Sequence, residues 1–375
     1  MRIGVNLIQY TELQGIEIFA QNLLKHLVLD SNTEIILFTN QKSAQFFTNN
    51  NPRISLITKN FSKLNKLNLI VYQQGGFIRK LKKEKIDLLF CPSIASPLLY
   101  KNKIVTIHDL APYRFSAEAG ILARFYFWLS FLSAKYFSQG ITTVSEFSKQ
   151  EIIDLLKIRA NRITILSEGV PEMPTINENE QKEVLIKFGL SAQQKYFIYI
   201  GNIRPRKNLP ATLQAFQLFL TEQPNFIFII AGKRDKRSRQ LERLTKKLNL
   251  EKQVLFTGWL SPQEKVALLQ KSTGLIFASL YEGFGLPILE AQSLGVPVLS
   301  SQSSALPEIS NRGAILINPQ SPEEIKKGMI LLARDENLRK KIIIAGQENA
   351  KKYSWDRAAA DLLNLCKNYE NIRNK

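Results

Sequence analysis

The most informative segment for the fold is Glu282-Gly283-Phe284-Gly285-Leu286-Pro287-Ile288-Leu289-Glu290. It follows an apolar run at residues 274–278 that is typical of a buried β-strand. Pro287 suits the first turn of a helix and Gly295 its C-terminal cap, so we predict a helix over residues 286–294. A strand, a glycine-containing loop and a helix in this order form one unit of a parallel sheet covered by helices.

The same loop indicates a binding site. Gly283 and Gly285 precede a helix N-terminus, where backbone N–H groups and the positive end of the helix dipole favour phosphate. Glu282 lies in the loop and Glu290 about one turn into the helix, so both carboxylates can flank one ligand. Carboxylates accept hydrogen bonds from hydroxyl groups, which points to sugar and ribose. The alternative is a glycine turn with a solvated or capping glutamate, and the strand–loop–helix context favours the ligand.

A second loop, Gly201-Asn202-Ile203-Arg204-Pro205-Arg206-Lys207-Asn208, follows the apolar run at residues 196–200. Asn208 can cap the helix that comes next, which places Arg206 and Lys207 at its positive end. Three cations there repel one another unless an anion binds, so we predict that they hold a diphosphate. A solvated basic turn is the alternative.

Two positions in the first half can also face a ligand. Gly15 opens the first predicted helix and allows a ligand to approach its backbone. His108 and Asp109 come directly after the predicted strand at residues 104–107. This places them at the rim of the cleft that we predict between two domains, where Asp109 can orient the imidazole. His26, on the polar side of the first helix, is interpreted as structural.

Apolar runs alternate with amphipathic stretches along the whole chain, which predicts parallel sheets with helices on both faces. The predicted strands are residues 2–6, 34–39, 88–90, 104–107, 141–144 and 163–166, then 196–200, 226–231, 254–257, 274–278, 296–300 and 314–317. The polar stretch 171–183 is interpreted as a linker between two doubly wound domains. Ligands of such sheets bind beyond the carboxyl ends of the strands, so we expect a cleft between the domains.

Composition narrows the function. The chain has 375 residues, 45% of them hydrophobic, and a formal net charge of +19, which favours an anionic partner: nucleic acid, membrane lipid or a phosphorylated substrate. Cys91 and Cys366 do not form a disulfide framework, and we expect a reducing, cytoplasmic location. The sequence shows no Walker phosphate loop and no Asp-x-Asp pair, so we expect neither a bound metal nor another cofactor. The start lacks the features of a signal peptide, and the uncharged apolar stretch 125–134 is too short to span a bilayer.

Taken together, these motifs resemble the retaining glycosyltransferases of family 4, and the resemblance covers nearly the whole chain. The motifs that carry it are Gly15-Ile16-Glu17, Thr106-Ile107-His108-Asp109-Leu110, Val144-Ser145-Glu146-Phe147-Ser148, Ser167-Glu168-Gly169-Val170, residues 201–208, Phe256-Thr257-Gly258-Trp259, residues 282–290 and Ala305-Leu306-Pro307-Glu308. The resemblance implies the GT-B fold, with two Rossmann-like domains facing across a cleft. We assign residues 1–172 to the N-terminal, acceptor-side domain, 173–353 to the nucleotide-sugar domain, and 354–375 to a helix that crosses back to the first domain.

The resemblance also implies residue roles. Glu282 contacts hydroxyls of the donor sugar and Glu290 contacts the ribose of a nucleotide diphosphate donor. Arg206 and Lys207 hold the diphosphate, and His108 touches the sugar near its anomeric carbon. These implied catalytic residues are joined by a set of donor-binding positions: Gly15, Gly201, Asn202, Gly232, Lys233, Trp259, Leu260, Gly283, Phe284, Gly285 and Leu286. Asp109 is a further, acceptor-side candidate.

One departure from the family pattern concerns the diphosphate. Many members have an arginine immediately after the glycine that corresponds to Gly201, whereas this chain has Asn202. The phosphate contact then falls to Arg206, as in a subgroup with an Arg-Lys-Asn run, or is shared with Arg204. That subgroup makes mannose from GDP-mannose the first expected donor, with UDP-sugars next.

The implied reaction transfers a hexose with retention to a hydroxyl of a saccharide or lipid-linked saccharide. Retention by double displacement needs a carboxylate nucleophile beneath the sugar, and no residue is an obvious candidate. The family is thought instead to use departure and attack on the same face, with the leaving phosphate taking the acceptor proton. Alternatives are another GT-B enzyme, such as an epimerase or a polysaccharide synthase, and a nucleic-acid-binding protein, for which no recognition motif is present.

A basic run, Arg79-Lys80-Leu81-Lys82-Lys83-Glu84-Lys85, requires a separate explanation. With Phe77, Ile78 and Ile86 beside it, residues 77–86 can lie on an anionic bilayer, which would suit a lipid-linked acceptor and a peripheral position on the inner face of the cytoplasmic membrane. A solvated helix is the alternative. A second basic run at residues 233–247 lies near the predicted nucleotide site or is simply exposed.

Overall fold

The computed structural model describes residues 1–10, 15–47, 51–61, 66–115 and 120–373. Contacts divide the chain into two compact units, one formed by Met1–Gly169 with Ser354–Lys375 and the other by Val170–Tyr353. Each unit contains its own parallel sheet flanked by helices. The predicted α/β class with two doubly wound sheets is therefore confirmed.

The N-terminal unit is built around a sheet in the order β3-β2-β1-β4-β5-β6-β7. Its strands are β1 (Arg2–Leu7), β2 (Glu34–Asn40), β3 (Ile54–Lys59), β4 (Leu88–Cys91), β5 (Lys103–Thr106), β6 (Gly140–Thr143) and β7 (Ile163–Ile165). Its first helices are α1 (Gly15–Lys25), α2 (Lys66–Gln74), α3 (Gly76–Lys83), α4 (Ala111–Arg114), α5 (Ile121–Phe137) and α6 (Glu146–Leu156). Strands β4, β5 and β6 are buried along their whole length, including the polar residues Lys103 and Thr106 of β5.

The C-terminal unit has a sheet in the order β10-β9-β8-β11-β12-β13. Its strands are β8 (Tyr196–Ile200), β9 (Ile227–Ala231), β10 (Val254–Gly258), β11 (Gly274–Phe277), β12 (Val298–Ser301) and β13 (Ile315–Ile317). Its helices are α7 (Glu178–Lys187), α8 (Leu209–Leu220), α9 (Lys236–Lys247), α10 (Pro262–Lys271), α11 (Leu286–Ser293), α12 (Leu306–Ser310), α13 (Pro322–Arg334) and α14 (Glu336–Ala350). A core of buried aromatic and aliphatic side chains from both faces of this sheet holds the unit together.

The sheet order of the C-terminal unit decides which loops meet. Strand β8 lies between β9 and β11, and all its pairings are parallel, so the loops after these strands share one edge. The Gly201 N–H donates to the Ala231 carbonyl at 2.9 Å, and the Gly232 N–H donates to the Gly258 carbonyl at 3.0 Å. The predicted site loops after β8, β9 and β10 are therefore hydrogen-bonded neighbours.

The last helix, α15 (Trp355–Arg373), belongs to the N-terminal unit, where it packs against α1. The Lys367 ammonium lies 2.6 Å from the Asp30 carboxylate, and the rings of Trp355 and Phe19 meet edge to face with centroids 5.8 Å apart. A Cβ at Gly169 would overlap the backbone of Trp355, so this glycine permits the close approach of α15.

The interpretation of residues 171–183 as a linker was partly wrong. Helix α7 already begins at Glu178. Its polar N-terminal sequence is a capping box: the Asn177 side chain accepts from the Glu180 N–H at 3.0 Å, and the Glu180 carboxylate accepts from the Asn177 N–H at 2.7 Å. The acidic and amide residues therefore start a helix rather than mark an irregular connection.

Candidate functional site

The centre of the candidate site in the C-terminal unit is an ion pair between the loops after β8 and β11. The Lys207 ammonium is hydrogen-bonded to the Glu282 carboxylate, and the two side chains are only 12% and 9% exposed. The Lys207 nitrogen also lies 5.3 Å from the centroid of the Phe277 ring, at the end of β11. The backbone strengthens the same junction, because the Leu280 N–H donates to the Arg206 carbonyl at 2.8 Å. The two loops that the sequence singled out are thus in direct contact.

The loop around Glu282 leads into α11 as predicted. Helix α11 spans Leu286–Ser293, with Pro287 in its first turn and Gly295 in the left-handed region just beyond its end. Gly285 has φ +121°, a conformation that favours glycine. The Glu282 N–H donates to the Ser304 hydroxyl at 2.9 Å, which fixes the start of the loop.

The second glutamate of the motif has its own cation. Glu290 is 5% exposed, and its carboxylate lies 2.5 Å from the Lys265 ammonium, which extends from α10. The pair holds the Glu290 carboxylate in one orientation on the inner side of α11. Lys265 was not among the predicted site residues. Its only signal is its place in the first turns of a helix that opens with Ser261-Pro262, which says nothing about the direction of its side chain.

Arg206, beside Lys207 in the basic loop, is half-buried. Its Nε atom is buried and, within the described residues, has no hydrogen-bond partner. Burial raises the pKa of the neighbouring Tyr199 hydroxyl well above 10; the Glu282 carboxylate raises it further, while Arg206 opposes the rise. Both charged side chains therefore act on one buried phenol. Arg204 is half-buried, and its charge acts on Asp235, the N-cap of α9, together with Arg237.

The prediction that the Asn208 side chain caps the next helix was wrong. Asn208 does stand at the N-cap position of α8, after the 3-10 turn Pro205–Lys207, but in the left-handed region with φ +59°. Its side-chain amide does not cap the helix. It donates to the carbonyls of Ala278, at 3.1 Å, and Pro319, at 2.5 Å, so this buried amide ties the basic loop to the end of β11.

The remaining donor-binding candidates line the same edge of the sheet. Gly201 and Asn202 follow β8, and the Asn202 carbonyl accepts a hydrogen bond from the Tyr199 hydroxyl at 3.0 Å. A Cβ at Gly232 would overlap the Gly201 carbonyl, so these loops meet backbone to backbone. Lys233 is exposed, and the Trp259 indole is 62% exposed beside the half-buried Leu260.

His108, in the N-terminal unit, is largely buried, with 16% of its side chain exposed, and is held from several sides. Its Nε2 lies 2.8 Å from the Pro92 carbonyl, and Phe19 packs edge to face on the ring with centroids 4.7 Å apart. Its Nδ1 lies 4.0 Å from the Glu168 carboxylate. Burial lowers the pKa of His108 below 6.5, against the opposing effects of the Pro92 hydrogen bond and Asp109. The carbonyl contact assigns the proton of the neutral ring to Nε2.

The expectation that Asp109 orients the imidazole was wrong. The Asp109 carboxylate accepts from the Ala111 N–H at 2.9 Å at the start of α4, while Pro92 and Glu168 flank the ring. A short polar side chain two residues before a helix turn binds the local backbone in preference to its neighbour. Gly15 begins α1, and no heavy atom of the surrounding described structure lies within 4 Å of a Cβ built there.

The basic run at residues 77–86 is helix α3 and the turn that follows. Phe77 is fully buried and Ile86 is 8% exposed, so these two apolar residues pack in the protein core and are not available to a bilayer. Arg79, Lys82 and Lys83 are exposed, which leaves charge as the means by which this run can bind an anionic surface.

Chemically, the loops and helix starts at the carboxyl edge of the C-terminal sheet combine two carboxylates, each paired with a lysine, and the half-buried Arg206. Such a set can bind hydroxyl groups through the carboxylates and an anion through the cations.

No helix within the described ranges is both long and apolar enough to cross a membrane.

Comparison with known families covers both units. Residues 13–172 match the family model described as Glycosyltransferase Family 4, and residues 180–349 match the one described as Glycosyl transferases group 1.

Relatives and solved structures agree with these matches. The chain is 33% identical over 233 residues to O-antigen chain mannosyltransferase B of Escherichia coli, a match that spans 60% of each chain. It is 26% identical over 270 residues to O-antigen chain mannosyltransferase RfbU of Salmonella typhimurium, spanning 72% of this chain and 71% of the relative. The fold is similar to that of Anabaena HepE, solved in complex with UDP and glucose, with a TM-score of 0.76, 16% identity and coverage of 98% of this chain and 100% of that one.

Proposed function

Because the chain belongs to glycosyltransferase family 4 and has the GT-B fold, we propose that it transfers a hexose from a nucleotide diphosphate to a hydroxyl of a saccharide or lipid-linked saccharide. The observation that carries this proposal is the contact between Lys207 and Glu282, which joins an anion-binding loop to a hydroxyl-binding loop. The biological setting we propose is the synthesis of a cell-surface polysaccharide or glycolipid, supported by the O-antigen enzymes among the relatives.

The donor-binding residues of the C-terminal unit have distinct roles in this proposal. Lys207 and Arg206 bind the diphosphate and offset its charge, as a divalent cation would, so that transfer needs no metal. Glu282 accepts hydrogen bonds from hydroxyls of the hexose, and Glu290, held by Lys265, accepts from the ribose. The exposed Trp259 indole offers a flat apolar surface to the nucleobase.

The reaction we propose retains the configuration at the anomeric carbon. The bond from that carbon to the phosphate oxygen breaks, the acceptor oxygen forms a bond on the same face, and the leaving phosphate takes the acceptor proton. The protein lowers the barrier by positioning the reactants and by stabilising the negative charge that develops on the diphosphate. We retain the prediction that His108 contacts the donor sugar, and its lowered pKa favours the neutral imidazole at pH 7.

Mannose from GDP-mannose is the donor we propose first, supported by the two mannosyltransferase relatives. A UDP-sugar is the second candidate, favoured by the UDP complex of HepE, which shares the fold. We place the enzyme in the cytoplasm, where the exposed cations of α3 allow peripheral binding to an anionic membrane.

A thermal-shift screen tests the proposal. Purified protein is heated with GDP-mannose, with UDP- and dTDP-sugars, and with the matching nucleoside monophosphates as controls. A ligand at 100 times its Kd stabilises the folded state by about 2.7 kcal/mol, which raises the melting temperature measurably. We expect a shift with one nucleoside diphosphate sugar and a smaller one with its monophosphate. Equal, negligible shifts with all of them would contradict the proposal.

A further inference from the structure

Helix α5 of the N-terminal unit presents apolar side chains to solvent. Its exposed residues are Ile121 at 82%, Leu122 at 85%, Phe125 at 57%, Trp128 at 53% and Tyr136 at 65%, and we call this set the α5 stripe. At 3.6 residues per turn, four of the five lie within roughly 80° of one another around the helix axis, with Leu122 at their edge. The rings of Phe125 and Trp128 stack with centroids 5.9 Å apart, so the stripe is continuous at its centre.

The buried face of α5 combines the core residue Phe131 with small and polar side chains. Ser130 and Ser133 are 0% and 3% exposed, and Ala134 beside them is also buried. The Ser130 hydroxyl donates to the Tyr126 carbonyl at 2.8 Å within the helix. A helix at a water-exposed surface normally has polar residues on its outer face, whereas α5 carries apolar side chains there as well as inward.

Contacts to the neighbouring strand fix this orientation. The buried Lys103 ammonium donates to the Ser133 hydroxyl at 2.7 Å and to the Leu98 carbonyl at 3.0 Å. The Ser133 hydroxyl in turn donates to the Leu98 carbonyl. Rotating α5 to bury the stripe would take the Ser133 hydroxyl away from the buried Lys103 ammonium and leave it only the carbonyls of the loop before β5. Losing a partner of a buried charge is costly. The outward direction of the stripe is therefore built into the fold.

We propose that the α5 stripe inserts into the interfacial layer of an anionic membrane. Aromatic residues with a polar edge, such as Trp128 and Tyr136, are enriched at that depth. The helix is about 25 Å long, and its buried serine face keeps it in the plane of the surface. This contact adds an apolar element to the electrostatic one proposed for α3, and it does not depend on the transfer reaction.

Charge favours an anionic bilayer over a second copy of the chain. Arg124 and Lys135 are the only charged residues of α5, and both are cations on the same flank of the stripe. A two-fold dimer with antiparallel α5 helices would bring these cations from both copies to the same rim, where they repel. With parallel helices the cations would lie on opposite rims, and α5 has no acidic residue to pair with them. Anionic headgroups instead pair with them, and the net charge of +19 acts in the same direction.

Vesicle binding of the full chain tests the inference. The Phe125→Ser/Trp128→Ser variant is compared with the wild type and with Ile344→Ser, which removes a side chain that is 63% exposed on α14. In co-sedimentation with vesicles of one part phosphatidylglycerol to three parts phosphatidylcholine, we expect at least about tenfold weaker binding for the double variant. Ile344→Ser should bind as the wild type does. Equal binding by all three proteins would overturn the proposal.

Two further measurements separate the alternatives. In a Trp259→Phe background, Trp128 and the buried Trp355 remain, and we expect a blue shift of tryptophan emission on adding the vesicles; no shift would overturn insertion. A concentration-dependent dimer in sedimentation velocity that the double variant abolishes, without vesicle binding by the wild type, would assign the stripe to a second copy. The thermal shifts that nucleotide sugars cause in the double variant should match those in the wild type. Donor binding is thus tested independently of membrane binding, and a failure of either proposal can be recognised on its own.

Discussion

Lys207 and Glu282 form an ion pair that is almost closed to solvent and that links the loop after β8 to the loop after β11. Both residues are assigned direct contacts with the donor, so each is expected to be essential. We predict that Lys207→Ala and Glu282→Ala each lower kcat/KM by at least about 10²-fold, the usual effect of losing one charge-stabilising group in a reaction of this kind. Steady-state transfer with the donor found by thermal shift is the measurement.

The control for this prediction is Lys187→Ala. It removes an ion pair with Glu264 in the same unit, but Lys187 is exposed and lies outside the site loops. Exposed pairs contribute about 0–1 kcal/mol to stability, so transfer should stay within about twofold of the wild type. Near-normal turnover in a folded Lys207→Ala protein would remove Lys207 from the site.

The Lys265–Glu290 pair predicts a different kinetic signature. If Glu290 binds ribose equally in the ground state and the transition state, Lys265→Met and Glu290→Gln raise the KM for the donor by roughly 10-fold or more and leave kcat nearly unchanged. A donor analogue that lacks the ribose hydroxyls should show little further loss in either variant. If both substitutions lower kcat and leave KM unchanged, for the donor and for the analogue alike, the Glu290 carboxylate does not bind the ribose.

Asn208 provides a test of the loop architecture through stability. Asn208→Ala removes the amide bonds to Ala278 and Pro319 and also places an alanine at φ +59°. Asn208→Gly removes the same bonds but accepts that backbone conformation. We therefore expect the alanine variant to be less stable than the glycine variant by about 1 kcal/mol, as measured by urea denaturation. The reverse order would show that the left-handed conformation at position 208 is not required.

His108 predicts a dependence of stability on pH. Burial lowers its folded-state pKa, so the unfolded chain binds the proton more readily. This contribution to the free energy of unfolding is complete above pH 6.5 and is lost as pH falls through the lowered folded-state value. The wild type should therefore lose more stability between pH 7 and pH 5 than His108→Gln, whose side chain does not titrate. Parallel pH profiles for the two proteins would contradict the buried, neutral imidazole.

The sequence predicts the strands of this fold well where they are buried. All twelve predicted strands are present to within one or two residues, because continuous apolar runs such as those of β4 and β8 occur in few other contexts. Strand β3 was missed because it lies at the edge of its sheet and exposes most of its side chains. Its sequence, Ile-Ser-Leu-Ile-Thr-Lys, lacks the continuous apolar run that marks the central strands.

The sequence predicts which loops form the candidate site, but it does not predict which side chains pair with one another there. Both site loops follow predicted strands, and the sheet order then brings them together. The partner of Glu290 could not be foreseen, because Lys265 comes from a helix 25 positions away and its direction depends on packing. Asn208 shows the same limit: its residue type fits a helix cap, and tertiary carbonyls compete successfully for its amide.

Calorimetric titration of the wild type and Arg206→Ala with the nucleoside diphosphate of the preferred donor tests the proposed diphosphate site most directly. Arg206 holds a buried guanidinium nitrogen that no described residue partners, so it is expected to bind the diphosphate directly. We predict saturable binding by the wild type and at least about tenfold weaker binding by Arg206→Ala, with a smaller loss for Arg204→Ala. Equal affinities of a folded Arg206→Ala protein and the wild type would show that Arg206 does not bind the diphosphate.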